Sequence, residues 1–474
     1  MVDERDVFET NVNTDGRKQY DWESKYPECA QKEMKKEAIY IAIILIIAFS
    51  LLIFIVGGLI DKVGNLIGLE AKKTASLEGV IIYFFSGLLG GTIFGLKYFY
   101  RVVSITPQVS RNTLTFKLNS PHNLSIEVNG DIFHNLHLFA NPIDRNNPLK
   151  PGMNPKKLKK NRNLIYFGPG IHQLPGDTLD VPSGKTVYIS GGAIVRGCIR
   201  AKNAENVTIF GRGEVHPEGR GAGVSIINSK NIRVEGLITT QCPTGGSDSV
   251  TIRNVKAISS YGWGDGMNVF ASNNVLFDGV FCRNSDDCTT VYATCMGFKG
   301  GCKNITMQNS TLWADVAHPI FIGLHGDAEG QEVMENLNYI NIDILDYQGC
   351  FGISCGDNNV VRDIVFDNIR VEDFRQGQLF NIRIFFNKKY CAAPGRGIEN
   401  VLFKDITYNG ENAELSIIAG YNEERKVKNI RFENLRINGE AIYDDMPGKP
   451  KWYKMGDMAR FFMGGHVEGV TFTK

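Results

Sequence analysis

The chain has 474 residues, enough for one long domain with attachments, and its 52 Lys and Arg against 51 Asp and Glu leave a formal net charge of +1. A balance so near zero gives nucleic acid no electrostatic reason to bind. The 51 glycines suit tight corners, and the ten cysteines include no Cys-x-x-Cys pair, so neither a zinc site nor any other metal or cofactor is called for.

Residues 1–37 are a charged tail, which argues against a cleavable signal peptide. Ala38–Ile60 is an uninterrupted uncharged run long enough to span a bilayer. A second uncharged run begins at Gly79 and ends at Leu96, before Lys97 and Arg101. Residues 38–100 therefore read as a transmembrane region of one span (38–60) or two (38–60 and 79–100), placing the chain at the cell membrane. Lys32, Lys35 and Lys36 favour a cytoplasmic tail, whereas Lys62, Lys72 and Lys73 blunt the asymmetry. One span leaves the remainder outside the cell and two return it, so the side stays open.

Residues 101–160 read as a small β module and a linker. Thr113–Leu118, Leu124–Val128 and Leu136–Phe139 have strand character, and Asn129-Gly130 is a hairpin turn signal. The module is expected to cover the open first coil of a solenoid that starts near residue 161. His134 and His137 fall on opposite faces of a strand, which does not favour a metal role. Residues 142–161, rich in Pro and Lys, look like the linker.

From about residue 161 to 474 the chain repeats one phrase, a polar residue followed by an alternating apolar stretch. Copies are Asn206-Val-Thr-Ile209, Asn231-Ile-Arg-Val234, Asn274-Val-Leu-Phe277, Asn304-Ile-Thr-Met307, Asp363-Ile-Val-Phe366, Asn400-Val-Leu-Phe403, Asn429-Ile-Arg-Phe432 and Gly469-Val-Thr-Phe472, with a divergent Ser249-Val-Thr-Ile252. Each alternates with a strand's period of two, and no helical stripe lies between them. The pattern predicts an all-β chain, a single-stranded parallel β-helix whose stacked coils bury Val, Ile and Phe. The recurring Asn side chains are read as a hydrogen-bonded ladder along one bend.

Neighbouring coils stack about 4.8 Å apart, so sequence spacing becomes geometry. Asp265, in Gly264-Asp265-Gly266, lies 21 residues before Asp286 in Asn284-Ser285-Asp286-Asp287-Cys288, about one coil. Three carboxyls are thus expected on one patch. Two of them about 5 Å apart repel by about 3 kcal/mol at an effective dielectric of 20, roughly two pKa units. One can stay protonated while another ionises, which is the division that acid–base catalysis needs. Cys282 with Cys288, Cys295 with Cys302, and Cys350 with Cys355 are spaced for disulfides or for stacked buried thiols.

Ala317-His318-Pro319 comes about one coil later, and Asn381-Ile382-Arg383-Ile384 begins a later strand. In this order the four segments resemble the polygalacturonase-like glycoside hydrolases of family 28, and more distantly the family 49 dextranases of the same clan. The resemblance covers roughly residues 160–474. It implies a right-handed parallel β-helix that hydrolyses O-glycosidic bonds with inversion, acting as a monomer on a polysaccharide. It further implies Asp286 as general acid, Asp265 and Asp287 as the pair activating water, His318 as the histidine that tunes the acid, and Arg383 as a substrate-binding cation. Trp263 stands where the family has Asn, Ala317 and Pro319 where it has Gly, and Phe385 where it has Lys. Losing that Lys removes a cation that would meet a uronate, so a neutral glycan resting on Phe385 or Trp263 fits as well as a pectic one. Tyr292 and Trp313 are further candidate sugar platforms, and Asp315, His325 and Asp327 are secondary candidates for the cleft. A polysaccharide substrate favours one membrane span, while length alone favours two. The competing readings are a β-helix polysaccharide lyase and a non-catalytic glycan-binding adhesin.

Overall fold

The computed structural model describes residues 107–474 except 111–112, 128–130, 151–152, 154, 412–413 and 454. They fall within one compact unit, Thr92–Lys474. The runs 38–60 and 79–100, and the turn at Asn129-Gly130, lie outside the described residues. Among the described residues no helix is long and apolar enough to cross a membrane.

The strands from Leu164 to Thr473 join one continuous sheet, those of the inner coils paired in parallel with the strands one coil before and one coil after. The hairpin Leu435–Ile437 with Glu440–Ile442 is an antiparallel interruption. This wrapping is that of a parallel β-helix. Alternation explains it locally: in Asn273–Asp278, Val275 and Phe277 point inward while their neighbours stay accessible. Stacking then aligns like with like. One register column runs Val275, Ile305, Leu337, Ile364, Val401 and Ile430. Two positions on, it runs Phe277, Met307, Tyr339, Phe366, Phe403, Phe432 and Phe472. The rings of Phe366, Phe403, Phe432 and Phe472 stack nearly parallel, with centroids 4.7, 5.0 and 4.6 Å apart. Each such side chain contributes about 1.5–3 kcal/mol on burial.

The polar residue opening each phrase turns the chain. Asn274, Asn304, Asp363, Asn400 and Asn429 have φ between 55 and 58°, the left-handed region that Asn tolerates better than most residues. Their side chains bond coil to coil: Asn304 Nδ2 donates to Asn274 Oδ1 at 2.8 Å and Asn429 Nδ2 to Asn400 Oδ1 at 3.1 Å. Asn336 is a further rung, donating to Asn304 at 2.7 Å. A second ladder runs beside the first through Asn309 and Asn341, bonded at 2.6 Å.

The hairpin of the N-terminal module does not lie over the first coil. Its antiparallel pair His122–Ile126 and Leu136–Ala140 lies against the flank of the solenoid, where Phe139 and Ile132 pack on Phe281, Trp313 and Leu345. A buried arginine explains the position. Arg283 pairs with Asp315 at 3.0 Å, stacks 4.0 Å over Trp313, and donates to Asn135 Oδ1 and the Ile132 carbonyl at 2.7 and 2.6 Å. Burial and the Arg283 charge push the His137 ring down to about 4. The buried Lys256 ammonium is held by Asn254 and Asn141 at the end of the module. Residues 142–146 continue along the same flank, where Asp144 accepts from the Tyr188 hydroxyl at 2.9 Å. The nine described cysteines are free thiols, and most of them are buried.

Candidate active site

Five short strands build one outer face: Val269–Phe270, Thr290–Tyr292, Ile320–Ile322, Gly349–Cys355 and Gln378–Ile384. Val291, Ile322, Ile353 and Ile382 form their inward column. Tyr292, Ser354 and Arg383 alternate with these and line an open cleft of ≈ 700 Å³, together with Asp265, Asp286, Asp287 and His318.

The acidic residues sit on the turns that enter successive strands. Gly266 N donates to Asp287 O at 2.9 Å and Met267 N to Cys288 O at 2.7 Å, so positions 21 apart are one coil apart. Cys288 N donates in turn to His318 O at 2.8 Å. The glycines flanking Asp265 permit this closeness. A Cβ on Gly264 would lie 2.4 Å from Ser285 Oγ, and one on Gly266 2.4 Å from the Cys288 carbonyl oxygen. Ser259 fastens the same turns, accepting from Asn284 Nδ2 at 2.9 Å and Ser285 N at 3.2 Å.

Each carboxyl has distinct company. Asp287 is buried, and its Oδ1 accepts from both His318 N at 3.0 Å and His318 Nδ1 at 2.8 Å. Asp286 accepts from Asp287 N at 3.0 Å, and the Trp263 N–H faces its carboxyl. Asp265 accepts from Asn268 Nδ2 at 2.7 Å. Burial lifts the Asp265 carboxyl to about 7, with the Asn268 bond opposing and the charges of Asp287 and Asp286 adding to the rise. Burial and then the Asp287 charge raise Asp286 as well. His318 is fixed from below by Phe321, stacked at 4.2 Å. Gly349 and Gly352 leave room for it, since a Cβ at either would reach His318 Cδ2 at 3.0 and 3.2 Å.

The four residues expected to meet substrate all line the cleft, in different states. Trp263 is 78% exposed, with φ 57°. Tyr292 is buried between Phe270, Phe321 and His325, and so packs more than it presents. Phe385 carries the Arg383 guanidinium 4.9 Å over its ring, so that face is occupied. Arg383 has no ion pair with any described residue, its Nε is buried without a partner, and burial lowers its pKa. Trp313 and Asp315 belong to the Arg283 cluster rather than the cleft, and Asp327 caps its own loop by accepting from Glu329 N at 3.1 Å. His325 does line the cleft, with its pKa lowered by burial.

Sequence reading missed Asn268, Gln241, Ser354, Phe321 and Tyr390, all of them cleft residues. Asn268 stands three residues from Asp265, which was a usable signal. The others enter the cleft through strand register, which spacing alone did not reveal.

One outer-face cleft thus gathers three carboxyls from two successive coils and a histidine from the next. Residues 215–449 match the family Glycosyl hydrolases family 28, a segment holding Asp265, Asp286, Asp287, His318 and Arg383. The chain is a polygalacturonase-like glycoside hydrolase. It is similar to the solved family 28 exopolygalacturonase of Yersinia enterocolitica (12% identity, 75% of this chain and 85% of that one, TM-score 0.49). It is also similar to the endo-xylogalacturonan hydrolase of Aspergillus tubingensis (14%, 58% and 84%, TM-score 0.42). A further similar structure is Dex49A from Penicillium minioluteum (12%, 78% and 77%, TM-score 0.47). No curated protein sequence matches it.

Proposed function

We propose that the chain is an inverting hydrolase of O-glycosidic bonds in a pectic, polygalacturonan-type polysaccharide. The observation that carries this reading is the placement of Asp265, Asp286 and Asp287 in one cleft, with Asp287 gripped twice by His318. Asp286, raised by burial and by its neighbour, is the proton donor to the leaving oxygen. Asp265 and Asp287 are the pair that takes the proton of the attacking water, from positions one coil apart in the cleft. His318 orients the Asp287 carboxylate by giving it two hydrogen bonds.

The acidic substrate rests on Arg383. A guanidinium with no counter-ion among the described residues, oriented by the Phe385 ring, is available for a ligand carboxylate. Phe385 thus supports the remaining cation instead of replacing it as a sugar platform. Asn268 Oδ1 and Asn381 Oδ1, both buried at the cleft without a partner among the described residues, can accept from sugar hydroxyls. The family resemblance supports a right-handed winding and a monomer. The uncharged runs within 38–100 support anchorage in the cell membrane ahead of a β module at 101–160 and the catalytic solenoid at 161–474.

The test is Asp286→Asn, a near-isosteric change. On a pectic substrate kcat should fall by about 10²–10⁴ with the melting temperature kept. Full retention of activity would remove Asp286 from the chemistry, and retained glycan binding without any turnover in the wild type would favour the adhesin reading.

A further inference from the structure

We propose that Trp263 and Arg220 form a second sugar subsite, on the opposite side of the acidic residues from Arg383, that takes an acidic sugar ring; the inference rests on the hydrolase reading above.

The backbone of Trp263 is the first observation. Its φ of 57° is uncommon for a bulky residue and carries a conformational cost. Two contacts hold it there. Gln241 Nε2 donates to the Trp263 carbonyl at 2.9 Å, and the Trp263 N–H is directed at the Asp286 carboxyl. The same conformation stands the indole out of the surface, with 78% of the residue exposed at the cleft wall. An exposed, backbone-fixed indole beside the proton donor is a rigid apolar face where the next sugar ring would lie.

The second observation is Arg220, whose guanidinium lies 5.7 Å over that indole. Its loop is anchored independently of any ligand. Tyr261 OH donates to the Gly221 carbonyl at 2.8 Å, Gly221 N donates back to Tyr261 OH at 3.2 Å, and Thr240 Oγ1 reaches the same carbonyl at 2.7 Å. Arg220 makes no ion pair or hydrogen bond with a described residue. Its forked N–H groups are free to meet a carboxylate.

Placement along the solenoid separates the two cations. Trp263 lies on the coil of Asp265. Arg383 lies three register steps beyond Tyr292, through Gly323 and Ser354. At about 4.8 Å per coil, the two arginines flank the carboxyls from opposite directions. A substrate that satisfies both carries an acidic sugar on each side of the bond that breaks.

Kinetics of the full chain on oligogalacturonides and on their carboxyl-reduced counterparts test this. Arg220→Ala should raise KM about tenfold on the acidic oligomers, equivalent to 1.4 kcal/mol, and leave KM on the reduced ones unmoved. Trp263→Ala should raise KM on both, and Trp263→Phe should recover most of the loss. Unchanged KM for Arg220→Ala and Trp263→Ala on the acidic oligomers would overturn the subsite, as would equal weakening on acidic and reduced oligomers. A wild type that cleaves neither set counts against the hydrolase reading instead. Calorimetric binding of the acidic oligomers then decides the subsite: loss of binding in Arg220→Ala supports it, and binding that is absent or unaltered overturns it.

Discussion

One oxygen of Asp287 receives two hydrogen bonds from the same residue, His318, through the backbone N at 3.0 Å and the ring Nδ1 at 2.8 Å. The pair joins consecutive coils, so the charge of Asp287 is fixed by the stacking of the solenoid as well as by the imidazole. Replacing the ring leaves the backbone donor in place. His318→Ala should therefore lower kcat by about 10²-fold with a smaller change in KM, because Asp287 keeps the backbone donor and loses the ring donor. Wild-type kcat in a folded His318→Ala would show that the ring does not position Asp287.

Asp265, proposed above to activate water, also bears on stability. Its folded pKa, about 7, lies above that of an ordinary carboxyl, so folding takes up a proton. Its contribution is fully present below about pH 4 and is lost as pH rises through 7. Asp265→Asn removes that titration. The variant should be more stable than the wild type at pH 8, by about 1–3 kcal/mol, and equal to it at pH 4, while losing activity. Thermal unfolding at the two pH values checks it, and identical differences at both would contradict the burial argument.

Much of this was legible in the sequence, because a strand repeat turns spacing into contact. The 21-residue step from Asp265 to Asp286 corresponds to the Gly266-to-Asp287 hydrogen bond that joins adjacent coils. The Asn ladder and the column from Phe277 to Phe472 were read from the same phrase. The second ladder was not. Asn309-Ser-Thr-Leu312 and Asn341-Ile-Asp-Ile344 repeat the phrase five residues after Asn304 and Asn336, inside single long strands, where a search for coil-length periods passes over them. The site of the N-terminal hairpin was also illegible, since it depends on Arg283, whose partners come from two stretches of chain far from it in sequence. Tyr292 reads in sequence as a sugar platform and packs as a wall, because strand register brings Phe270 and Phe321 against it.

Ala317 holds φ at 67° immediately before His318, where a left-handed backbone is needed to aim the His318 N–H at Asp287. An L-residue there costs roughly 1–2 kcal/mol, partly offset by the greater unfolded-state freedom of Gly. Ala317→Gly should raise stability by about 0.5–1 kcal/mol with kcat preserved. Ala317→Val should lower both. A stabilised Ala317→Val would contradict the conformational account.

Gly352 leaves room for the ring pair beneath the site, since a Cβ there would meet Phe321 Cδ2 at 2.6 Å and His318 Cδ2 at 3.2 Å. Gly352→Ala should displace both rings and reduce kcat more than it raises KM. Its interior neighbour Ile353 stays in the core column, so the fold should persist, as circular dichroism would show. Wild-type kcat in a folded Gly352→Ala would remove His318 positioning from the account.

Arg383→Ala should raise KM on galacturonan about tenfold or more with a smaller change in kcat, whereas Arg383→Lys should recover little, because the flat guanidinium rests on Phe385. Equal loss on carboxyl-reduced substrate would assign Arg383 a structural role.

The most direct measurement is proton NMR of the first product released from a galacturonan substrate by the wild-type chain. The account predicts that the newly formed reducing end carries the anomeric configuration opposite to that of the cleaved bond, and that no unsaturated product absorbs in the ultraviolet. A product that retains configuration, or an unsaturated one, would contradict water activation by Asp265 and Asp287.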